Sequence, residues 1–468
     1  MDNTSGIEDG RAWGTAFRTI QPAIDWAVEP SGGEVWVAEG VYSEDRARSS
    51  PDGSFDGALR ARAGVELYGG FTGGETERGQ RDWQAHVTVI DGSQARRGQP
   101  AYHVIKSVGD ETVLDGFTVQ GGNANGLYAD DRITGGIGVI GAAVIANCII
   151  RDNRSDLSVG GIGIGGAEPL IVNCTFVNNQ TSQSGGAIDL ANAFSRPTII
   201  GCLFIGNRSG SAGGAIGGGF GGDLVVRDSI FLNNESGFGG AIGKFSEDLT
   251  LENCLFIGNH GWTGGAVSTG GEYEWELGVY GTHVSIRNCT FFANVAAEGS
   301  GAVHNGGAVT TVWNSIFWNN TPLQIVNNVT AFPPPFSVHH SLVQGGYEGE
   351  GNLELDPQFV DAIAGDVRLR PTSPAIDAGT AVDAPAADIR GVARPQGAGV
   401  DIGAYEYQTG DELDIDASGG TDAVDVQLVI NGALGLDSRA SSDVDGNSVV
   451  DAIDVQLVIN AALGKYEV

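Results

Sequence analysis

Lysine is nearly absent. Only Lys106, Lys244 and Lys465 occur in 468 residues, and 25 basic side chains face 58 acidic ones, for a net charge of −33. Nucleic acid and anionic membranes both call for clustered cations, so neither is an expected partner. Polyanionic sugars are disfavoured unless calcium bridges them. Long apolar runs are missing too. None approaches the roughly 18 residues of a membrane span. Cysteine is scarce and odd in number, five in all, which does not suggest a disulfide framework. Charged residues make up 18% of the chain, below the usual level of roughly 25%.

What is abundant is glycine, with 75 residues. Glycine and proline together make about 19% of the chain, under the roughly 25–30% typical of low-complexity disorder. Hydrophobic residues at 41% supply a core. The chain is therefore folded, with frequent tight turns.

Helical periodicity is almost lacking, whereas a long-period repeat is plain. Cys148, Cys174, Cys202, Cys254 and Cys289 share one slot with Ser229, Ser315 and Ser341, at steps of 25–28 residues apart from one of 35. Two residues later stand Ile150, Phe176, Phe204, Phe231, Phe256, Phe291, Phe317 and Val343. Five residues after the slot come Asn153, Asn179, Asn207, Asn234, Asn259, Asn294 and Asn320. Before several of these strands runs Gly-Gly-Ala-Ile/Val, at residues 185–188, 213–216, 239–242 and 264–267. Short period-2 strands separated by glycine or asparagine corners, in units of this length, describe an all-β parallel solenoid.

Equivalent residues in such a coil stack about 4.8 Å apart. The phenylalanines are expected to fill the interior. The asparagines are expected at corners, bonding backbone and tolerating left-handed geometry. The cysteines read as small buried free thiols, because in-register side chains point the same way and bridge poorly. Arg227, Glu252, Arg287 and Trp313 form an outward column, expected to be a surface ladder of ion pairs and a cation–π contact.

The motifs Gly-Gly-Ala-Ile and Phe-x-x-Asn, as in Phe176-Val-Asn-Asn179, resemble the repeats of polymorphic outer-membrane proteins and related secreted bacterial right-handed β-helices. That resemblance covers roughly residues 130–345 and implies a right-handed parallel β-helix. The segment from Gly14 to Ile20, followed by Gly33-Glu-Val-Trp-Val-Ala-Glu-Gly40, is similar to the N-terminal entry of pectin-lyase-like helices, where a short helix from Phe17 to about Val28 would cover the first coil. Ser373–Gly379 and Asp401–Glu406 resemble last coils of secreted β-helix proteins. The expected domain is thus 1–408, with a capping region over about 1–30.

After Tyr407 a 29-residue repeat begins. Asp414, Asp416, Ser418, Asp422 and Asp425 occupy loop positions 1, 3, 5, 9 and 12, and Asp443, Asp445, Asn447, Asp451 and Asp454 occupy the same positions in a second loop. Gly420 and Val449, at position 7, can lend backbone carbonyls. This is the oxygen pattern of an EF-hand-like calcium loop, so two calcium ions are expected. Each loop runs into a near-identical apolar helix, Val426–Leu434 and Val455–Leu463. Residues 411–468 carry twelve acidic and two basic side chains, far too many carboxylates to converge without cations. The segment resembles a dockerin module, a small α-helical two-loop domain, which implies a cohesin-like protein partner. It departs from type I dockerins in carrying Ala423-Val424 and Ala452-Ile453 where that type favours a hydroxyl pair, so its contact face is expected to be more apolar.

No catalytic constellation is legible. A lyase of this architecture would need carboxylates for calcium beside a basic residue on neighbouring rungs, and a glycosidase two carboxylates about 5–9 Å apart. The column after Gly-Gly-Ala-Ile/Val reads Asp189, Gly217, Gly243 and Ser268, with His304 after a weaker copy, and Asp130-Asp131 would face opposite sides of a strand. The candidate ligand-binding segment is the insertion in the long repeat, Glu272, Tyr273, Glu274, Trp275 and Glu276, where aromatic faces adjoin carboxylates and could hold carbohydrate. The resemblances imply an extracellular or cell-surface protein. No leader is recognisable after Met1, and that absence carries no weight. The favoured expectation is a secreted, non-catalytic surface, matrix or adhesin-like β-helix attached or assembled through its calcium tail. Two alternatives stand beside it: a dockerin-borne polysaccharide lyase or glycoside hydrolase, and a self-associating fibre subunit.

Overall fold

The structure is a computed structural model. It describes residues 8–27, 33–46, 56–127, 130–190, 194–218, 222–244, 247–270, 273–274, 279–280, 282–328, 335–363 and 365–408, and beyond these Val426 and Ile430. Two compact units are present, Met1–Leu224 with Asn234–Glu247, and Val225–Asn233 with Asp248–Val468.

In the first unit every repeat contributes a strand to each of three parallel sheets. The first sheet includes Val144–Ala146, Leu170–Val172 and Thr198–Ile200. The second runs through Ile137–Val139, Ile162–Ile164, Ile188–Leu190, Ile216–Gly218 and Ile242–Lys244. The third contains Ile149–Arg151, Thr175–Val177 and Leu203–Ile205. A narrow fourth sheet of two- to four-residue strands lies at one corner. Register is in phase, Ile137 on Ile162 on Ile188 and Ile150 on Phe176 on Phe204, so each apolar column closes on itself along the axis.

The second unit repeats this cross-section. Leu249–Glu252, His283–Arg287, Val309–Trp313 and Phe336–His339 pair in parallel, as do Ile230–Leu232, Leu255–Ile257, Thr290–Phe292 and Ile316–Trp318. The chain is a parallel β-solenoid.

The phenylalanine column is interior. Phe176 and Phe204 stack with centroids 4.7 Å apart, and Phe231, Phe256, Phe291 and Phe317 continue the pattern in the second unit at 4.6–4.8 Å. All five cysteines are buried and free. Burial and the neighbouring thiols push Cys174 well above the ordinary thiol range.

In each unit the asparagine column is a hydrogen-bond ladder. The Asn179 Nδ2 donates to the Ile150 carbonyl at 2.7 Å and to Asn207 Oδ1 at 3.1 Å, and its amide N–H reaches the same oxygen at 3.0 Å. Asn259, Asn294 and Asn320 repeat this in the second unit. One expectation is corrected here. The left-handed backbone lies at the preceding residues, Asp152, Asn178, Asn233, Ala293 and Asn319, with φ of 53–56°, and at Gly206 and Gly258. The ladder asparagines are instead fixed by their inward side chains.

Glycine is required at tight corners and where coils touch. Gly213 has φ +64°, and a Cβ there would lie 1.9 Å from the Ile216 carbonyl oxygen; one on Gly186 would lie 2.1 Å from that of Gly214. No larger residue fits either place.

The helix Ile20–Ala27 buries Ile20, Ile24 and Ala27 and packs on strands Gly33–Ala38 and Leu59–Arg60. Gln21 bonds both the N–H and the C=O of Arg60, at 2.7 and 3.2 Å. The segments Ser373–Gly379 and Asp401–Glu406 form no further rung. They belong to a strap in the second unit that lies against a separate asparagine column, one place before the Cys/Ser slot: Asn253 Nδ2 donates to Ala387 O, Asn288 Nδ2 to Asp401 O and Asn314 Nδ2 to Thr380 O. Among the described residues no helix is long and apolar enough to cross a membrane.

Candidate functional site

Most of the sequence-derived site residues lie outside the described residues. The calcium loops Asp414–Asp425 and Asp443–Asp454 do so entirely. Of the insertion, Tyr273 and Glu274 form one arm of an antiparallel pair with Val279 and Tyr280. Glu272, Trp275 and Glu276 lie outside the described residues.

The outward column Arg227, Glu252 and Arg287 forms as expected, with Arg227 Nε 2.7 Å and Arg287 Nη1 3.4 Å from the two oxygens of Glu252. Trp313 stacks on His339, with centroids 4.3 Å apart. Asp189 pairs in register with Gly163 and Gly217, and its carboxylate accepts a hydrogen bond from Ser158 Oγ at 3.1 Å. His304 lies between Ser268 and Val326. Lys244 is buried, its stem packed beside Gly218.

The structure assembles one charged cluster that repeat reasoning missed. Arg60 and Lys106 are Cα partners on adjacent rungs of the second sheet. Both reach Asp56 Oδ2, Arg60 Nη2 at 2.9 Å and Lys106 Nζ at 3.7 Å, while Asp56 Oδ1 accepts the Ala58 N–H at 3.1 Å. The Asp56 carboxylate is nearly buried and both cations are partly exposed. The helix contributes indirectly, because Gln21 fixes the backbone of Arg60.

His103 completes the cluster. It is 3% exposed, its Nδ1 faces the Thr134 carbonyl, and its Nε2 is buried with no hydrogen-bond partner among the described residues. Burial pulls its pKa below the ordinary value, Lys106 adds to that, and Asp56 and Asp131 oppose it. The ring is therefore neutral near pH 7, with its proton on Nδ1 toward the carbonyl and a lone pair on Nε2. Asp131 is buried on a 3-10 turn, Asp130–Arg132, so the strand expected for Asp130-Asp131 is corrected. Gly126 permits this turn, since a Cβ there would lie 2.3 Å from that of Asp131.

Arg60 and Lys106 exceed the charge of Asp56 by one and are partly exposed, so they can attract an anionic group, whereas the His103 ring is enclosed. No periodic signal marked these residues, because Asp56, Arg60, His103 and Lys106 precede the regular repeats. The scarcity of lysine was the available clue.

Residues 103–275 match the family model described as a right-handed β-helix region. That stretch is similar to a right-handed β-helix. Among solved structures, the crystal structure of pectate lyase Pel9A aligns with 12% identity and a TM-score of 0.40, covering 81% of this chain and 88% of that one. No curated protein sequence matches.

Proposed function

We propose that this chain is a secreted, non-catalytic β-helix that serves as a surface or matrix component and is attached through a calcium-dependent, dockerin-like tail at 411–468. The observation carrying this reading is the duplication in the tail: two loops with oxygen side chains at the same five positions, each followed by the same apolar helix. Val426 and Ile430, four residues apart and so on one helical face, are both helical and buried, which agrees with the helix placed after the first loop. The ladders fit a supporting role, since they commit their side chains to holding the rungs together. The helix Ile20–Ala27 serves in this reading as the cap of the first coil.

A pulldown with the full chain tests it. With calcium present, residues 411–468 should be required for capture of a cohesin-like or other protein partner, and a chelator should release it. Capture that is unchanged by chelator, or by Asp414→Ala with Asp443→Ala, would overturn the calcium tether.

A second reading, a carbohydrate-active lyase, is favoured by the Asp56, Arg60, His103 and Lys106 cluster. There Arg60 and Lys106, partly exposed, would neutralise a uronate carboxylate. Unsaturated product from a uronate polymer, lost in Lys106→Ala, supports this reading; no product from any polymer on a panel sinks it.

A further inference from the structure

The first unit contains a cavity of about 670 Å³ between the helix Ile20–Ala27, the turn Trp13–Thr15 and the strand Gly33–Ala38. That volume lies within the roughly 300–1,000 Å³ usual for small-molecule sites. Its walls are aromatic, with Trp13, Phe17, Trp26, Trp36 and Tyr42. Three of the eight tryptophans of the chain thus converge here.

These rings are held rather than loose. Trp36 stacks on the buried Phe71 with centroids 4.9 Å apart and planes 7° from parallel, and Trp13 tilts against both at 6.4 and 5.6 Å. Their indole N–H groups are already spent, Trp13 Nε1 on the Glu75 carbonyl at 2.8 Å and Trp36 Nε1 on Glu34 Oε2 at 2.7 Å. Trp26 lies on the flank of its helix beside Ala23, off the buried stripe, and is 51% exposed. Aromatic side chains recruited only for stability fill the space they surround. Here they line it.

The charges of Arg18, Glu34 and Glu75 around the cavity are satisfied within the protein, and Arg11 in its lining is exposed. Arg18 Nε pairs with Glu8 at 3.1 Å, and Glu34 Oε1 with Arg78 Nη1 at 2.8 Å. The Glu75 carboxylate accepts the amides of Thr72, Gly73 and Gly74 and the Thr72 hydroxyl, at 2.7–2.9 Å. Burial opposes its ionisation, yet these donors hold its pKa at about 2. An ionic ligand finds no spare counter-charge in these pairs. A ligand with an apolar face and hydroxyl edges matches both the rings and the carbonyl, hydroxyl and carboxylate acceptors between them.

We propose that this cavity binds a neutral saccharide, its C–H face on Trp26 and Trp36 and its hydroxyls on the polar rim. The site is independent of the calcium tail, and its failure would leave that reading intact.

The test uses the full-length chain, tryptophan fluorescence and calorimetry, with neutral gluco-, manno- and galacto-oligosaccharides set against oligouronates. A neutral saccharide should bind with a fluorescence change that persists in chelator. Trp26→Ala should weaken it by about tenfold, roughly the loss of one stacking contact. Trp36→Ala should weaken it further, while Trp313→Ala, in the second unit, should leave it unchanged. Trp26 is half exposed, so its variant keeps the fold even where Trp36→Ala does not. Binding that Trp26→Ala leaves intact, equal binding of oligouronates, or no binding of any neutral saccharide at millimolar concentration would each overturn the proposal.

Discussion

Asp189 occupies a column whose neighbours on both sides, Gly163 and Gly217, have no side chain. Its carboxyl is 8% exposed, and burial pushes its pKa up to about 7, with the Ser158 hydroxyl working against that shift. A raised carboxyl pKa means the folded state binds the proton more tightly than the unfolded state does. Asp189 therefore costs the fold nothing below about pH 4. Its penalty grows as pH rises toward 7, and reaches up to about 4 kcal/mol above that. Asp189→Asn keeps a polar partner for Ser158 without the charge. Thermal melts should show the variant equal to wild type at pH 4 and more stable at pH 8. Equal melting temperatures at pH 8 would refute the account. At this scale the sequence was readable wherever a residue recurs: the phenylalanine, asparagine and cysteine columns follow from spacing alone. It was not readable at Asp56, Arg60, His103 and Lys106, which the chain places together once, without repetition.

The strap of the second unit is the element whose role spacing could not show. It is anchored by Arg394, whose Nη1 donates to Glu406 Oε2 at 2.8 Å with both side chains fully enclosed. Glu406 also accepts the N–H groups of Asp401 and Gln396, and Asp388 accepts that of Glu406. Asp401 joins the network through the N–H groups of Asp377 and Tyr407, and burial raises its pKa to about 6. Removing one partner of a buried ion pair leaves the other charge without compensation and costs about 3–5 kcal/mol. Arg394→Met should lower the melting temperature and expose 377–406 to limited proteolysis, and adding Glu406→Gln should restore part of the loss. A protease-resistant Arg394→Met would show that the Asn253, Asn288 and Asn314 contacts hold the strap by themselves. The sequence marked Ser373–Gly379 and Asp401–Glu406 as terminal coils. They lie instead across the column of Asn253, Asn288 and Asn314, because their polar groups satisfy these asparagine side chains and not a strand ladder.

The whole molecule divides its charge by region. The last 58 residues carry −10 of the −33, and the remaining −23 is spread over 410 residues. Calcium removal should thus act on the tail. With chelator, partner capture should be lost while the melting of the solenoid holds, since its rungs are joined by backbone ladders and stacked side-chain columns. A solenoid that melts earlier in chelator would place calcium in the coil itself.

The sequence by itself determined the coil, because a residue type repeated every 25–28 positions stacks on its own copies whatever surrounds it. It also fixed where glycine must stand and that the thiols are buried in one column. The tertiary structure alone decided the rest. It set the left-handed residue one place before each ladder asparagine, laid the strap against the column of Asn253, Asn288 and Asn314, and brought Asp56, Arg60, His103 and Lys106 into one cluster. Three tryptophans from a turn, a helix and a strand meet around one cavity for the same reason. Repeats encode contacts between equivalent positions, whereas these sites join positions that occur once, and only the folded path of the chain makes them neighbours.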